Sequence, residues 1–95
     1  MKTYEWDMAD HINTKEDVFA YLEAAFEDND PETIFDVIGA IARSKGMAQM
    51  AKDLNLNRKS LYRSLASDGN PSFVTVMKVL NNLGYQLSVR EKVPA

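Results

Sequence analysis

The sequence contains no cysteine, a single histidine (His11) and no apolar run that approaches the length of a membrane span. Without cysteine there is no disulfide framework, no thiol nucleophile and no thiolate metal site. One histidine excludes multi-histidine metal centres and leaves little general-base chemistry, so we interpret His11 as a solvated loop residue. The N-terminus turns acidic at once and lacks the apolar stretch of a signal peptide. We therefore expect a cytoplasmic protein that is not an enzyme and uses no cofactor or metal.

The 95 residues are enough for one domain, 1–95. The net charge of −3 conceals an asymmetry along the chain. Residues 1–36 hold eleven acids against two lysines, a net of −9, whereas residues 37–95 hold nine bases against three acids, a net of +6. Six of the nine bases lie between Arg43 and Arg63. This split favours an acidic and a basic surface with different partners, although two ordinary solvated helices explain the charge equally well.

Helix start and stop signals predict the first two helices. Thr14 is placed to cap a helix, with Asp17 as the acid of a capping box. Asp30-Pro31 supplies a second cap followed by proline at the first helical position. Gly46 is the expected stop. The apolar residues at helical spacing predict these inner stripes: Val18, Leu22, Ala25 and Phe26, then Ile34, Ile38, Ile41 and Ala42.

Three further helices are predicted from the same signals. A short third helix covers about Met47–Leu54, and a fourth begins at Asn57 and runs through Leu65. Asn70-Pro71 is expected to cap and start a fifth, which stops at Gly84. Its predicted buried face consists of Phe73, Val76, Met77, Leu80 and Leu83.

The C-terminal residues change to a period of two, which is typical of a β-strand. Tyr85, Leu87 and Val89 alternate with polar residues, and the only other alternating stretch is Tyr4–Met8. A lone strand leaves its backbone groups unpaired, so it needs a partner. The two ends of the chain pair with each other, or the C-terminal strand pairs with its copy in a dimer. We favour the dimer because a chain of short helices has a thin core.

The segment Ala51–Leu65 has the pattern of a helix-turn-helix. Ala51 is small where two helices cross, and Asn55 occupies a turn that needs a left-handed backbone. Asn57 caps the second helix. The apolar contacts between the helices are predicted to be Leu54, Leu56, Leu61 and Leu65. An ordinary helical hairpin would share the leucine spacing, but the full combination favours DNA binding.

Basic and hydroxyl side chains at the start of a recognition helix match the edges of bases and the phosphates of DNA. The predicted DNA-binding residues are Asn57, Arg58, Lys59, Ser60, Tyr62, Arg63, Lys52, Arg43 and Lys45. Arg58, Lys59 and Arg63 are expected to divide between guanine edges and phosphates. In a dimer, two such helices would lie about 34–36 Å apart and bind a palindromic double-stranded operator.

Nearly the whole chain resembles a known family. The helix-turn-helix is similar to that of the factor-for-inversion-stimulation type, and the sequence from Gly69 to Gly84 resembles the next helix of Xre/Cro-like repressors. More closely, the chain resembles the probable addiction module antidote proteins, HigA-like antitoxins of bacterial type II toxin–antitoxin modules. The matching segments are Trp6-Asp7-Met8-Ala9, Leu22–Asp28, Asp30-Pro31, Ile41–Met47, Asn57–Leu65 and Gly69-Asn70-Pro71.

The predicted elements form a compact all-α domain of five helices with a short C-terminal strand, and the resemblance implies that its helix-turn-helix is Xre/Cro-like. It also implies a homodimer that represses its own operon and neutralises a basic RelE/ParE-like toxin encoded beside it. Such a protein is found in the bacterial cytoplasm, on the nucleoid when bound to DNA, with no membrane association.

The acidic N-terminal region, about residues 1–30, is the candidate segment for contacting a basic toxin, because opposite charge accelerates association. Aromatic residues often dominate the energy of an interface, so Tyr4, Trp6 and Met8 are candidate apolar anchors. The candidate charged contacts are Asp7, Asp10, Glu16, Glu23 and Glu27. The alternative for Trp6 is that it closes one end of the core.

Two other functions share some of these features. A free-standing prophage-type repressor has the same DNA-binding residues but does not need an acidic region for a partner. An adaptor that binds only protein would use the acidic helix, and its bases around Arg58 would tolerate neutralisation.

Overall fold

A computed structural model describes residues 7–66 and 69–93 of the chain. Within these ranges the protein is all-helical and contains no β-strand. A 3-10 turn at Met8–His11 precedes five α-helices: α1 (Lys15–Asp28), α2 (Pro31–Lys45), α3 (Met47–Asp53), α4 (Arg58–Ser64) and α5 (Phe73–Asn82). None of the helices in this part of the chain has the length and apolar character required to cross a bilayer.

The predicted helix caps are confirmed at the first two helices. The Thr14 hydroxyl accepts a hydrogen bond from the Asp17 amide at 3.0 Å, and the Asp17 carboxylate accepts one from the Thr14 amide at 3.1 Å. The Asp30 carboxylate accepts from the Thr33 amide at 3.2 Å, which satisfies a donor at the start of α2. Gly46 follows α2 with a φ of 110°, a conformation that favours glycine.

α2 is the central element of the core. It packs against the 3-10 turn, α1, α3 and α5. Its buried residues form one continuous run: Val37, Ile38, Gly39, Ala40, Ile41 and Ala42. At Gly39 the backbone of α2 comes so close to the residue after α4 that a Cβ there would lie 2.5 Å from the Leu65 carbonyl oxygen. This close approach fixes where α4 sits on the domain.

The start of α5 differs from the sequence prediction. Ser72 is the cap, and its hydroxyl accepts a hydrogen bond from the Thr75 amide at 3.1 Å. Asn70-Pro71 therefore neither caps nor starts the helix, and Pro71 is instead buried ahead of it. The prediction was wrong by two residues because serine is as good a cap as asparagine and the sequence offered both.

The buried face of α5 also differs. Val76, Val79 and Leu80 are buried, whereas Phe73 and Met77, which were predicted to lie inside, are 67% and 38% exposed. Val79, which the prediction did not include, is buried instead of Phe73 and Met77. α5 therefore presents an apolar surface to solvent.

The C-terminal segment does not form the predicted strand. Tyr85 and Leu87 are partly buried against the core, but Val89 is 97% exposed, so the alternation ends after two apolar residues. Tyr4–Trp6, most of the expected partner strand, lie outside the described residues, and Met8 belongs to the 3-10 turn. The segment docks on α1 through its side chains and forms no ladder with the described chain.

Candidate functional site

A tight turn joins α3 to α4. Asn55 adopts the left-handed conformation predicted for it, with a φ of 55°. The Leu56 amide donates to the Ala51 carbonyl at 2.9 Å, and the Asn55 amide donates to the Lys52 carbonyl at 3.1 Å. These bonds satisfy the carbonyls at the end of α3 and turn the chain into α4. The buried Ala51 allows this turn to lie close to the core.

α4 is oriented by its cap and its leucines. The Asn57 side chain accepts a hydrogen bond from the Ser60 amide at 3.0 Å, as the sequence predicted. Leu61 and Leu65, four residues apart, are each only 2% exposed and hold one side of the helix against the core. The rest of the helix surface carries the exposed side chains of Arg58, Lys59, Ser60, Tyr62 and Arg63. We call this set the basic surface.

Arg58 and Tyr62 form a pair on the basic surface. The Arg58 guanidinium lies 5.6 Å from the centre of the Tyr62 ring, within the range of a cation–π contact. The two residues are four apart, so they are neighbours on one side of the helix. Tyr62 is 47% exposed, which leaves much of its ring and the guanidinium open to solvent.

The three flanking bases are not equivalent. Lys52 is exposed on α3. Arg43 and Lys45, at the end of α2, are also exposed but form polar contacts with other residues of the chain. Arg43 Nη2 lies 3.0 Å from a carboxylate oxygen of Asp7, and Lys45 Nζ lies 3.0 Å from the Asn82 side-chain oxygen. A phosphate would have to compete with these contacts.

The Asp7–Arg43 contact joins a predicted toxin contact to a predicted DNA contact. The Ala9 amide donates to the Asp7 carboxylate at 3.1 Å. This backbone hydrogen bond, followed by the Arg43 guanidinium, holds the pKa of Asp7 below its usual value. Asp7 is therefore a charged residue that already has two donors.

Three of the predicted toxin contacts lie together on α1. Glu16, Glu23 and Glu27 are exposed and, with Phe19 between them, repeat every three or four residues. Such spacing places side chains on one side of a helix. We call these four residues the acidic stripe. Sequence reasoning missed Phe19, which is 50% exposed, although its spacing from Glu16 and Glu23 was the available signal.

The other predicted toxin contacts are scattered. Asp10 is exposed in the 3-10 turn, while Met8 is half-buried against the core and offers only part of its side chain to a partner. Tyr4 and Trp6 lie outside the described residues. No group of histidine, aspartate and glutamate residues suited to a metal ion occurs in the ranges that the structure describes.

The fold and these surfaces define a small all-helical protein with a basic helix and an acidic helix. The chain belongs to the family described as "Probable addiction module antidote protein", whose model matches residues 2–91. It is similar to an uncharacterized protein of Haemophilus influenzae strain Rd, with 37% identity over 87 residues that cover 92% of this chain and 90% of that protein. No solved structure matches the chain. Membership of an antidote family implies a toxin as partner.

Proposed function

We propose that this protein is the antitoxin of a type II toxin–antitoxin module, which binds DNA as a homodimer, represses its own operon and neutralises a basic RelE/ParE-like toxin. The family supports the antidote role. The DNA-binding role, including the assignment of α3 and α4 to an Xre/Cro-like helix-turn-helix, is our inference from the residues and their geometry.

The observation that carries the DNA-binding proposal is the basic surface of α4. Its cap and its buried leucines fix the helix, so the exposed side chains project from a rigid element rather than from a loop. An α-helix fits the major groove, where arginine pairs with the O6 and N7 atoms of guanine. The cation–π contact with Tyr62 already restricts the Arg58 side chain, so this side chain loses less conformational entropy when it binds DNA.

The test is fluorescence anisotropy of the purified protein on its own upstream DNA and on a scrambled duplex, at two salt concentrations. Neutralising phosphates releases counterions, so binding should weaken steeply as salt rises. We expect the upstream fragment to be preferred. Equal and weak binding to both duplexes, with and without toxin, would favour a protein-binding adaptor instead.

Arg58→Ala tests the basic surface directly. Loss of a base-reading arginine costs roughly 1–3 kcal/mol and relaxes specificity at one base pair. Lys15→Ala removes the same charge from the start of α1 and serves as the matched control, with no expected loss of preference. If Arg58→Ala leaves the affinity for both duplexes unchanged, the assignment of α4 is wrong.

The exposed apolar side of α5 supports the proposed dimer. Phe73 and Val74 are 67% and 60% exposed, and Met77 lies one turn further along the same helix. A second copy of the chain would remove these side chains from water, each methylene contributing about 0.8 kcal/mol. Phe73→Ser should shift the measured mass from dimer to monomer in sedimentation, whereas Ala20→Ser at an exposed position of α1 should not. A Phe73→Ser variant that remains dimeric would exclude this surface.

Toxin binding is assigned to the acidic N-terminal region. Trp6→Ala tests the predicted anchor in a pull-down with the toxin encoded beside the gene. Reduced retention would place Trp6 in the interface. Equal retention by the variant and the wild type would remove it from the contacts and favour its role at the end of the core.

A non-enzymatic role remains part of the proposal. A groove of about 420 Å³ beside α4 is lined by Leu56, Asn57, Ser60, Leu61, Ser64, Ser72 and Thr75. No ionisable residue lines the groove beside its hydroxyl groups, and an activated hydroxyl needs a neighbouring base.

The alternative of a free-standing repressor is tested by the gene's neighbours. A gene without an adjacent toxin gene would favour it.

A further inference from the structure

The C-terminal segment from Tyr85 to Val93, here called the tail, lies on the acidic stripe of α1. The Tyr85 ring stacks on Phe19, with centroids 6.0 Å apart and planes 24° from parallel. Further along, Arg90 Nη2 is 2.7 Å from Glu27 Oε1. Leu87, between these contacts, is packed against the core. The tail therefore meets the stripe at an aromatic residue and at an acid.

The spacing of the two contacts shows how the tail runs. Phe19 and Glu27 are eight residues apart, about 12 Å along a helix. Tyr85 and Arg90 are five residues apart, at most about 17 Å in an extended chain. The tail thus runs alongside α1 in the same direction, and its five-residue span is long enough to bridge the two contacts. Glu23 lies one helical turn from each contact, within the same stripe.

Beyond the half-buried Tyr85 and Leu87, the tail is held by exposed side chains. The side chains of Arg90 and Glu27 are 78% and 68% exposed, and ion pairs at such sites contribute little to stability. The Tyr85 amide donates to the Leu80 carbonyl at 2.9 Å, but no backbone hydrogen bond joins residues 86–93 to another described residue. These contacts are suited to exchange with another segment.

We propose that the tail is an internal competitor for the acidic stripe, which in the complex binds an extended basic segment of the toxin. The inference rests on the proposed antitoxin function. The tail presents an aromatic ring to Phe19, an apolar side chain to the core and a cation to Glu27, and a basic partner with an aromatic residue would offer the stripe the same chemistry. Because only the fraction of molecules with an open stripe binds directly, the docked tail lowers the apparent affinity for toxin.

The test is a titration of full-length variants with the toxin encoded beside the gene. Arg90→Ala removes the ion pair with Glu27. Lys92→Ala removes an equal charge two residues further on, where no ion pair with a described residue is formed, and is the matched control. Arg90→Ala should bind toxin about two- to fivefold more tightly than wild type at low salt, the range given by an exposed ion pair. Lys92→Ala should match wild type.

If Arg90→Ala binds toxin no more tightly than Lys92→Ala does, the competitor proposal is overturned, while the proposed antitoxin function is unaffected. Failure of the wild type to bind any toxin refutes the proposed function instead. A second probe, an acetylated peptide with the sequence of residues 85–93, then decides the inference without toxin. In a chemical-shift titration it should shift the Phe19 and Glu23 amides at lower concentration in Arg90→Ala than in wild type. If the peptide binds neither the wild type nor Arg90→Ala, the proposal is overturned.

Discussion

Gly39→Ala tests whether the contact between α2 and the end of α4 is as close as the structure shows. An added Cβ would lie 2.5 Å from the Leu65 carbonyl oxygen, whereas ordinary carbon–oxygen contacts begin near about 3.3 Å. The obstructing atom belongs to the backbone, so relief requires a shift between α2 and α4 of roughly 0.8 Å. Overpacking of this kind costs about 1–3 kcal/mol, and a backbone contact favours the upper half of that range.

Helix propensity acts in the opposite direction, because alanine is favoured over glycine by about 1 kcal/mol inside a helix. The expected net change is a loss of about 1–2 kcal/mol in the free energy of unfolding, the difference between the two effects. Urea denaturation followed by circular dichroism measures it. Ala24→Gly at an exposed position of α1 is the control for propensity alone and should lose about 1 kcal/mol. If Gly39→Ala is as stable as wild type or more so, the close approach is refuted.

Three further predictions concern the helix ends. Asn57→Ala removes the acceptor for the Ser60 amide and should cost about 1 kcal/mol in urea denaturation, whereas Asn57→Asp should keep the cap and weaken only DNA binding. Asn55→Ala should lose roughly 1 kcal/mol or more because its φ is positive, and Asn55→Gly should not; equal stabilities would contradict the strained turn. Two backbone N–H groups lower the pKa of Asp17, so its stabilisation is present above the usual aspartate pKa and is lost as pH falls through the lowered value. The stability gap between wild type and Asp17→Asn should therefore shrink in acid, and a gap independent of pH would refute this.

The sequence predicted the features that depend on local chemistry. The capping box at Thr14, the cap at Asp30, the turn at Asn55 and the cap at Asn57 each involve residues no more than five positions apart. The side chains of Thr14, Asp30 and Asn57 satisfy nearby backbone groups whatever the rest of the fold does, and Asn55 tolerates the left-handed conformation of its turn. The helical spacing of the sequence also predicted the exposed bases of α4 and part of the core of α2, where Ile38, Ile41 and Ala42 are buried as expected. Ile34 is only partly buried, and the buried Val37, Gly39 and Ala40 were not predicted.

The features that depend on distant neighbours were not predictable in the same way. On α5, Val76 and Leu80 belong to two overlapping helical stripes, one that includes Phe73 and Met77 and one that includes Val79. Both have helical spacing, and only the position of α2 selects the second. The tail likewise alternates apolar and polar residues as a strand does, but its side chains pack on α1 and the core and not on a second strand. In both cases the structure depends on the element against which the segment packs, and the pattern of one segment does not identify that element.

The Asp7–Arg43 contact has a consequence for genetic studies of this protein. Each residue is the counterion of the other, although sequence reasoning assigned them to different partners. Asp7→Ala, selected as a loss of the proposed toxin neutralisation, would also leave Arg43 with an uncompensated positive charge, which under the proposed function raises the affinity for DNA of any sequence. Arg43→Ala would likewise alter the acidic region by removing one of the donors to Asp7. A mutational scan would thus record coupling between the two proposed activities at these positions even without a conformational change that connects them. Only the double substitution separates the two effects.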